Sequence, residues 1–157
     1  MGTKDINRGG LSRAEIEEFK VVLWAKRNEI LGNVTTMEKE VLRRDRNDLS
    51  NLPTHMADFG TSSYEIDNII GIMDSERKIL IEIDLALNRI DNNRYGICEN
   101  NGESIPKARL EAIPWARYCV ACASLAEKGL IPKTDNFYND GRFFEDSNYG
   151  NYDPEDN

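Results

Sequence analysis

Apolar residues recur at seven-residue intervals near the start of the chain. Two adjacent stripes make up the pattern: Ile16, Leu23, Ile30 and Met37 in one, and Phe19, Val34 and Val41 in the other. Charged and polar side chains fill the positions between them, as is typical of a coiled-coil helix. Ser12, followed by Glu15, has the spacing of a capping box. A helix is therefore predicted from Ser12 to about Asp48, with a length of ~55 Å.

A second heptad pattern follows the first. Its stripes are Ile66, Met73, Leu80 and Leu87, and Ile69, Ile83 and Ile90, with Glu76 as a polar break. The two patterns match in length and phase. An antiparallel hairpin over residues 12–92 is therefore predicted, with Leu23 opposite Ile83, Ile16 opposite Ile90, and Met37 near Ile69. Parallel self-association is the alternative, but a short connection between two matched seams favours pairing within one chain.

Residues 49–63 interrupt the two patterns and form the predicted tip of the hairpin. Pro53 disfavours helix at its own position and at the residue before it. Gly60 and the cluster at 61–63 (Thr-Ser-Ser) provide flexibility and an N-cap for the second helix. The tip also carries His55, the chain's one histidine, and Asp58. These residues would lie at the far end of a long rod, so the tip is predicted to be the functional end.

Periodicity stops after residue 92, and residues 93–128 contain all three cysteines. Cys98-Glu-Asn-Asn101 and Cys119-Val-Ala-Cys122 are separated by 17 residues, close to the spacing of a four-thiolate zinc site. Asn101 stands where the fourth cysteine would be, and a neutral amide is a poor zinc ligand. Because structural zinc needs its full ligand set, a zinc-ribbon-like domain with an incomplete, mostly metal-free site is predicted.

Two other uses of the cysteines stay open. Zinc could be held by Cys98, Cys119, Cys122 and a water molecule, as a leaky structural site. Cys119 and Cys122 could instead form a redox pair, although the βαβ context of such pairs is missing.

Residues 129–157 change character again. Asparagine, aspartate, glycine and scattered aromatic residues follow one another without helix or strand period, and acidic residues outnumber basic ones seven to two. A disordered acidic tail is predicted. The whole is thus expected to be mainly α: a long antiparallel coiled-coil hairpin, a small globular domain and a tail.

The net charge of the chain is −8. Such a chain repels phosphate backbones, which argues against direct binding to nucleic acid and favours a basic groove on a protein partner. The start of the chain has no apolar signal-peptide core, and no apolar run approaches the length of a membrane span. Together with the odd number of cysteines, this composition predicts a cytoplasmic protein.

Several motifs resemble the zinc-finger region of the DksA/TraR family. They are Tyr95-Gly-Ile-Cys98, Gly102-x-x-Ile105, Arg109-Leu-Glu-Ala112, Pro114 and Cys119-x-x-Cys122, preceded in the second helix by Asp74-Ser-Glu-Arg-Lys78. The likeness covers about residues 12–128. It implies a bacterial, RNA polymerase-binding transcription factor whose hairpin enters the secondary channel of the polymerase. There the tip would modulate initiation without sequence-specific contact to DNA.

The family's tip motif is Asp-x-x-Asp-x-Ala, and the matching stretch here is His55-Met-Ala-Asp58-Phe-Gly60. The resemblance implies polymerase contacts by His55, Asp58 and Gly60, with the remaining carboxylate, Asp58, acting near the catalytic magnesium. Some members bind guanosine tetraphosphate jointly with polymerase through basic residues. Those positions hold Glu82, Ile113 and Ala123, so alarmone synergy is not expected.

Two other functional classes are alternatives to a transcription factor. A coiled-coil adaptor would bind another protein through the flank of the hairpin rather than through its tip. An enzyme would have to use His55 and Asp58, but the chain has no second histidine and no glycine-rich phosphate loop. The chain is therefore predicted not to be an enzyme.

Overall fold

The computed structural model describes residues 7–50 and 56–131, with the backbone alone for 47–50 and 56–62. Within these ranges lie helices α1 (Arg13–Ser50), α2 (Met56–Asp91), α3 (Lys107–Ala112) and α4 (Val120–Glu127). The described part of the chain has no strand, and Ile97 and Ser104 form an isolated antiparallel bridge. The predicted mainly α fold, with two long helices and a small globular domain, is confirmed.

α1 and α2 pack as an antiparallel pair. Residue numbers rise along α1 as they fall along α2 in the ion pairs between the helices: Lys20–Asp91, Arg27–Asp84, Glu38–Arg77 and Arg44–Glu65. The Arg27 Nε–Asp84 Oδ1 distance is 2.7 Å, and the Arg27 guanidinium also lies 5.3 Å from the ring centroid of Trp24. These contacts beside the apolar seam fix its register.

The predicted seam is the interface between the helices. Leu23 and Ile83, predicted to face each other, are both 0% exposed and belong to one core cluster. Seam residues nearer the tip, Met37, Val41, Ile66 and Ile69, are only partly buried. Two helices alone can cover only one face of each other, whereas the globular domain adds a further layer at the base. The core is therefore thickest where the hairpin meets that domain.

The capping box at the start of α1 is confirmed. The Ser12 N–H and hydroxyl each donate to Glu15 Oε2 at 2.9 Å, and the Glu15 N–H donates to Ser12 Oγ at 3.3 Å. Lys107 Nζ in α3 donates to the other Glu15 oxygen at 2.7 Å. One carboxylate thus caps α1 and also ties the globular domain to it.

Acid is expected to release this contact. The hydrogen bonds from Lys107 and then from Ser12 lower the pKa of Glu15 from 4.5 to about 2. Because the folded pKa lies below the unfolded one, the stabilisation is complete above the unfolded pKa and is lost as pH falls toward 2. An NMR titration of the Glu15 carboxyl should show this low midpoint, and Lys107→Met should raise it. An ordinary midpoint in the unchanged chain would contradict the contact.

The helix ends at the tip differ from the prediction. α1 continues through Ser50, beyond Asp48, and α2 begins at Met56, so the cluster at 61–63 lies inside α2 and is not its N-cap. Local capping preferences are weak compared with the continued pairing of two long helices, which extends both of them toward Pro53. Residues 51–55, with Pro53 and His55, lie outside the described residues.

The segment before α1 is also part of the globular base, although its polar sequence gave no sign of this. Asn7 Nδ2 donates to the Tyr95 carbonyl at 2.7 Å, and Asn7 Oδ1 accepts from the N–H groups of Gly9 and Leu11 at 3.0 Å. A Cβ at Gly9 would lie 2.9 Å from the Tyr95 carbonyl oxygen, which explains the glycine. The folded base therefore begins before the predicted boundary at residue 12.

At the other end, the described structure continues past the predicted boundary at Gly129. The Leu130 N–H donates to the Leu125 carbonyl at 2.9 Å, and Ile131 packs against the core cluster. The rest of the predicted tail, residues 132–157, lies outside the described residues. Among the helices described, none is both long enough and apolar enough to cross a lipid bilayer.

Candidate functional site

Tight turns build the first cysteine knuckle. The Cys98 N–H donates to the Glu103 carbonyl at 2.7 Å, and the Gly102 N–H donates back to the Cys98 carbonyl at 2.9 Å. Gly102 has φ of +72°, a conformation that side chains with a Cβ rarely adopt. The turn holds Cys98 against the core, where its side chain is buried.

The second knuckle is the start of α4. Cys119 is the residue before the helix, in extended conformation, and Cys122 lies in its first turn. This spacing directs both side chains to the same end of α4. The sulfur atoms of Cys98, Cys119 and Cys122 all lie within 4.8 Å of one another, all three residues are buried, and none forms a disulfide.

Asparagine amides lie where a fourth thiolate would complete the cluster. Asn101 Nδ2 donates to Cys119 Sγ at 3.7 Å and Asn100 Nδ2 donates to Cys122 Sγ at 3.3 Å. Asn101 Oδ1, the one atom of this side chain that could bind a metal, instead accepts from the Glu103 N–H at 3.1 Å. In this arrangement Asn101 supports the turn and donates to sulfur, and its amide oxygen is already taken by the Glu103 N–H.

The environment separates the thiols in acidity. Burial raises the pKa of Cys98, but the backbone N–H groups of Asn101, Cys119 and Asn100 outweigh burial and leave it lowered. At Cys122 the hydrogen bond from the Asn100 amide lowers the pKa. Burial and the neighbouring sulfur atoms raise it by more, so the pKa of Cys122 is raised overall. The turn around Cys98 therefore favours a thiolate, which is the form that binds metals.

The donor set fits zinc with three protein ligands. Three thiol groups at this separation match a tetrahedral zinc ion that has Zn–S distances of ~2.3 Å and one open position. Within the described residues, no carboxylate, imidazole or further thiol joins the cluster. A water molecule would have to fill the fourth position.

A charge network around the buried Arg89 joins the first knuckle, and the segment before the second, to α2. Arg89 is 8% exposed and donates to Glu99 Oε1 at 3.2 Å and to the carbonyls of Trp115 and Ala116 at 3.1 and 3.4 Å. Arg117 donates to Glu99 Oε2 at 2.9 Å and to Glu82 at 3.4 Å. Because Glu99 follows Cys98 and Arg117 lies close before Cys119, the network positions both knuckles on the hairpin.

An aromatic contact makes a second link between the hairpin and the globular domain. The rings of Phe19 on α1 and Tyr95 lie 5.6 Å apart, and the Tyr95 hydroxyl donates to the Pro114 carbonyl at 2.7 Å. Burial raises the pKa of Tyr95, so it stays a neutral donor. The domain is thus packed on both helices of the hairpin.

The predicted tip residues are not part of this cluster. Asp58 and Gly60 lie in the first turns of α2, at the end of the hairpin opposite the cysteines. The side chain of Asp58 and all of His55 lie outside the described residues. The three positions considered for the alarmone carry no cation: Glu82 pairs with Arg117, Ile113 is 37% exposed, and Ala123 lies in α4.

Residues 93–128 match the family model described as the prokaryotic dksA/traR C4-type zinc finger. An uncharacterized protein of Aquifex aeolicus is 36% identical to this chain over 118 residues, which span 75% of this chain and 80% of that protein. The chain belongs to the DksA/TraR family. The predicted resemblance is confirmed.

Two further relatives of this DksA/TraR chain carry functional names. The RNA polymerase-binding transcription factor DksA of Salmonella typhimurium is 29% identical over 117 residues, covering 74% of each chain. The structure of transcription factor DksA2 from Pseudomonas aeruginosa superimposes with a TM-score of 0.63 at 27% identity, covering 74% of this chain and 85% of that one. These relatives are transcription factors and not enzymes, as predicted for this chain.

Proposed function

We propose that this protein is a cytoplasmic transcription regulator that binds RNA polymerase and inserts its hairpin tip into the secondary channel to modulate initiation. The observation that carries the proposal is the antiparallel hairpin itself. α1 alone has 38 residues, which at 1.5 Å per residue extends ~57 Å. A rod of this length reaches a site inside a large enzyme that a globular domain of the same mass cannot reach.

The two ends of the hairpin would have separate roles. The base is anchored by the core cluster and by the Arg89 network, so the globular domain moves with the rod. The tip would bring Asp58 near the catalytic magnesium of the polymerase, where a carboxylate can alter metal or loop geometry at short range. His55 and Gly60 would make the neighbouring contacts in place of the acid and alanine of the family motif.

Charge supports entry into such a channel. The net charge of −8 suits a basic passage and raises the rate of association at low salt. The same charge, together with Glu82 in an ion pair with Arg117, opposes binding of guanosine tetraphosphate at the family's positions. We therefore propose regulation without synergy from that alarmone.

Zinc would be bound below one ion per chain. Three thiols are in place for it, but the fourth position has no protein ligand among the described residues, and two amides already donate to the sulfur atoms. Apolar packing around Tyr95 and Leu110, both almost fully buried, holds the domain in the absence of metal. Zinc then adds stability and is not required for the fold.

Asp58→Asn tests the role of the tip. Binding to core RNA polymerase should persist within about twofold, because the rod and base are unchanged, whereas the effect on open-complex lifetime should fall at least tenfold. Competitive binding assays and promoter-lifetime measurements on purified components would give the two values. Asp67→Asn makes the same charge change at an exposed α2 residue with a described side chain and should leave both unchanged.

Two outcomes would contradict the proposal. One is no binding to polymerase at micromolar concentration. The other is full regulation by the Asp58→Asn protein.

The adaptor alternative has one observation in its favour: Val21 and Val22 on the flank of α1 are 52% and 48% exposed. If Val21→Ser with Val22→Ser abolished polymerase binding while Asp58→Asn changed neither readout, the flank and not the tip would be the functional surface.

A further inference from the structure

A cleft of about 1080 Å³ lies at the base of the hairpin, away from the tip and beside the turn of the first cysteine knuckle, where Ile97 and Gly102 line it. It is bounded by the segment before α1, the first turns of α1, the end of α2 and the turn that follows. Four cationic side chains line it, from Arg8, Arg13, Lys20 and Arg94, and its carboxylates are Glu17 and Asp91. The cleft therefore carries an excess of positive charge on a chain whose net charge is −8.

Three of these cations have no partner among the described residues. Elsewhere in residues 7–50 and 56–131, every arginine takes part in a hydrogen bond, an ion pair or another polar contact. Arg8, Arg13 and Arg94 are the exceptions in that part of the chain, and all three line the same cleft. Lys20 makes one long ion pair, with Asp91 at 3.9 Å.

The grouping of unpaired arginines in one cleft needs an explanation, because like charges in a shared cleft repel one another. The folded chain pairs its other arginines efficiently with its many carboxylates, yet leaves these three open to solvent. The start of α1 does not account for the charge, since its capping box already supplies Glu15 to the free N–H groups. A bound anion would remove the repulsion.

The shape and chemistry of the cleft indicate which class of anion would bind there. Guanidinium groups pair with phosphate oxygens through two parallel hydrogen bonds, and two arginines can satisfy a single phosphate. Three arginines and a lysine can serve more than one. Ile16, Ile90 and Ile97 add an aliphatic wall, and the volume lies just above the ~300–1,000 Å³ of small-molecule sites, so the cleft can hold a small ligand with room for water.

We propose that this cleft binds a small anion carrying two or more phosphate groups. The site lies at the end of the hairpin opposite the tip, so it would stay accessible to solvent with the tip buried in a partner. The acidic residues 132–157 of the same chain are the competing occupant. The cleft is of a size to hold a small ligand, and it has four cations and an aliphatic wall. These features favour a small phosphate-bearing anion over the acidic segment.

Calorimetric titration of the full chain with inorganic pyrophosphate at fixed ionic strength tests the proposal. Arg13→Ala and Arg94→Ala should each raise the Kd at least tenfold, and sulfate at equal ionic strength should bind at least tenfold more weakly than pyrophosphate. Lys78→Ala removes one charge at an exposed α2 position outside the cleft and should change the Kd less than twofold. Pyrophosphate also binds zinc, but the cysteine cluster is the same in all these variants, so the difference between them reports on the cleft.

Three results would overturn the proposal. These are no saturable binding below millimolar pyrophosphate, equal weakening by Lys78→Ala, and a shift of the amide resonances of residues 132–157 when Arg94→Ala is made without any ligand. The last result would identify the chain's own acidic segment as the occupant. No polymerase is present in these measurements, so their failure would leave the proposed transcriptional function standing.

Discussion

Asn101→Cys is expected to raise the zinc content to one ion per chain and to produce the largest gain in stability of any single change in this domain. The Asn101 amide already lies 3.7 Å from Cys119 Sγ, so a thiol at this position would be close to the other three sulfur atoms. The substitution also removes the amide that donates to Cys119 Sγ. A complete four-thiolate site would follow.

The size of the effect follows from linkage between binding and folding. Free zinc at a thousand times its Kd stabilises the folded state by ~4 kcal/mol. For a chain of this length such a change raises the Tm by roughly 8–16 °C. Elemental analysis of both proteins after purification in the same zinc-containing buffer would give the occupancy, and thermal unfolding with and without a chelator would give the Tm.

Ser104→Cys provides the matched control for this variant. It adds one thiol to the same turn, at an exposed residue whose backbone bridges to Ile97, and it should leave zinc content and Tm unchanged. Full zinc occupancy of the unaltered chain would contradict the expectation, because it would mean that three thiolates and water hold zinc as firmly as four thiolates. An unchanged zinc content in Asn101→Cys would show that the turn keeps position 101 away from the metal.

The seam of the hairpin could be predicted because its physical cause is local. A seven-residue repeat keeps one face of a helix toward its neighbour, so the same residues that repeat in the sequence are buried in the structure. Leu23 and Ile83 follow this rule directly, and the cross-helix pair Arg27–Asp84 lies beside them. The three cysteines could be grouped for a similar reason, since two short knuckles have a characteristic spacing.

Contacts between distant segments could not be predicted in this way. Asn7 reads as part of a polar leader, and its role depends on the Tyr95 carbonyl, 88 positions along the chain. Arg89 reads as a solvent-facing helix residue, because an arginine beside a heptad position is normally exposed. Arg89 is buried because Glu99 and the turn at Trp115, both from the globular domain, pack around it.

Only part of the chemistry of the cysteine cluster could be predicted from the sequence. The missing fourth cysteine could be read directly, but not what Asn100 and Asn101 do in its absence. Their amides donate to Cys122 and Cys119, an arrangement that depends on the turn closed by Glu103. Nothing in the sequence indicated the cationic cleft, since Arg94 is far along the chain from Arg8 and Arg13 and the chain has many paired arginines.

Arg89→Ala is expected to be the most damaging single change at the junction between the hairpin and the globular domain. The substitution leaves the Trp115 and Ala116 carbonyls without their donor and leaves Glu99 with Arg117 as its remaining ion-pair partner. Unsatisfied buried acceptors and the loss of an ion pair whose Glu99 side chain is partly exposed together cost ~2–4 kcal/mol. The free energy of unfolding, measured by urea denaturation, should fall by that amount.

The loss should also be localised, because Arg89 contacts Glu99 in the first knuckle and the turn at Trp115 and Ala116, but lies far from the tip. Hydrogen exchange should accelerate at residues 95–119. It should change little in the tip half of the hairpin, which in α2 is the part from Met56 to Leu80. Arg89→Lys should recover only part of the stability, since a single ammonium group cannot reach the three acceptors that the planar guanidinium spans.

Arg77→Ala is the matched control, since Arg77 is exposed and its ion pair with Glu38 lies on the surface of the hairpin. Surface ion pairs of this kind contribute about 0–1 kcal/mol, so this variant should unfold almost as the unaltered chain does. If Arg89→Ala behaved like Arg77→Ala, the globular domain would be held by the contact of Phe19 with Tyr95 and by the Leu110 core alone. The orientation of the domain on the hairpin would then not depend on the charge network.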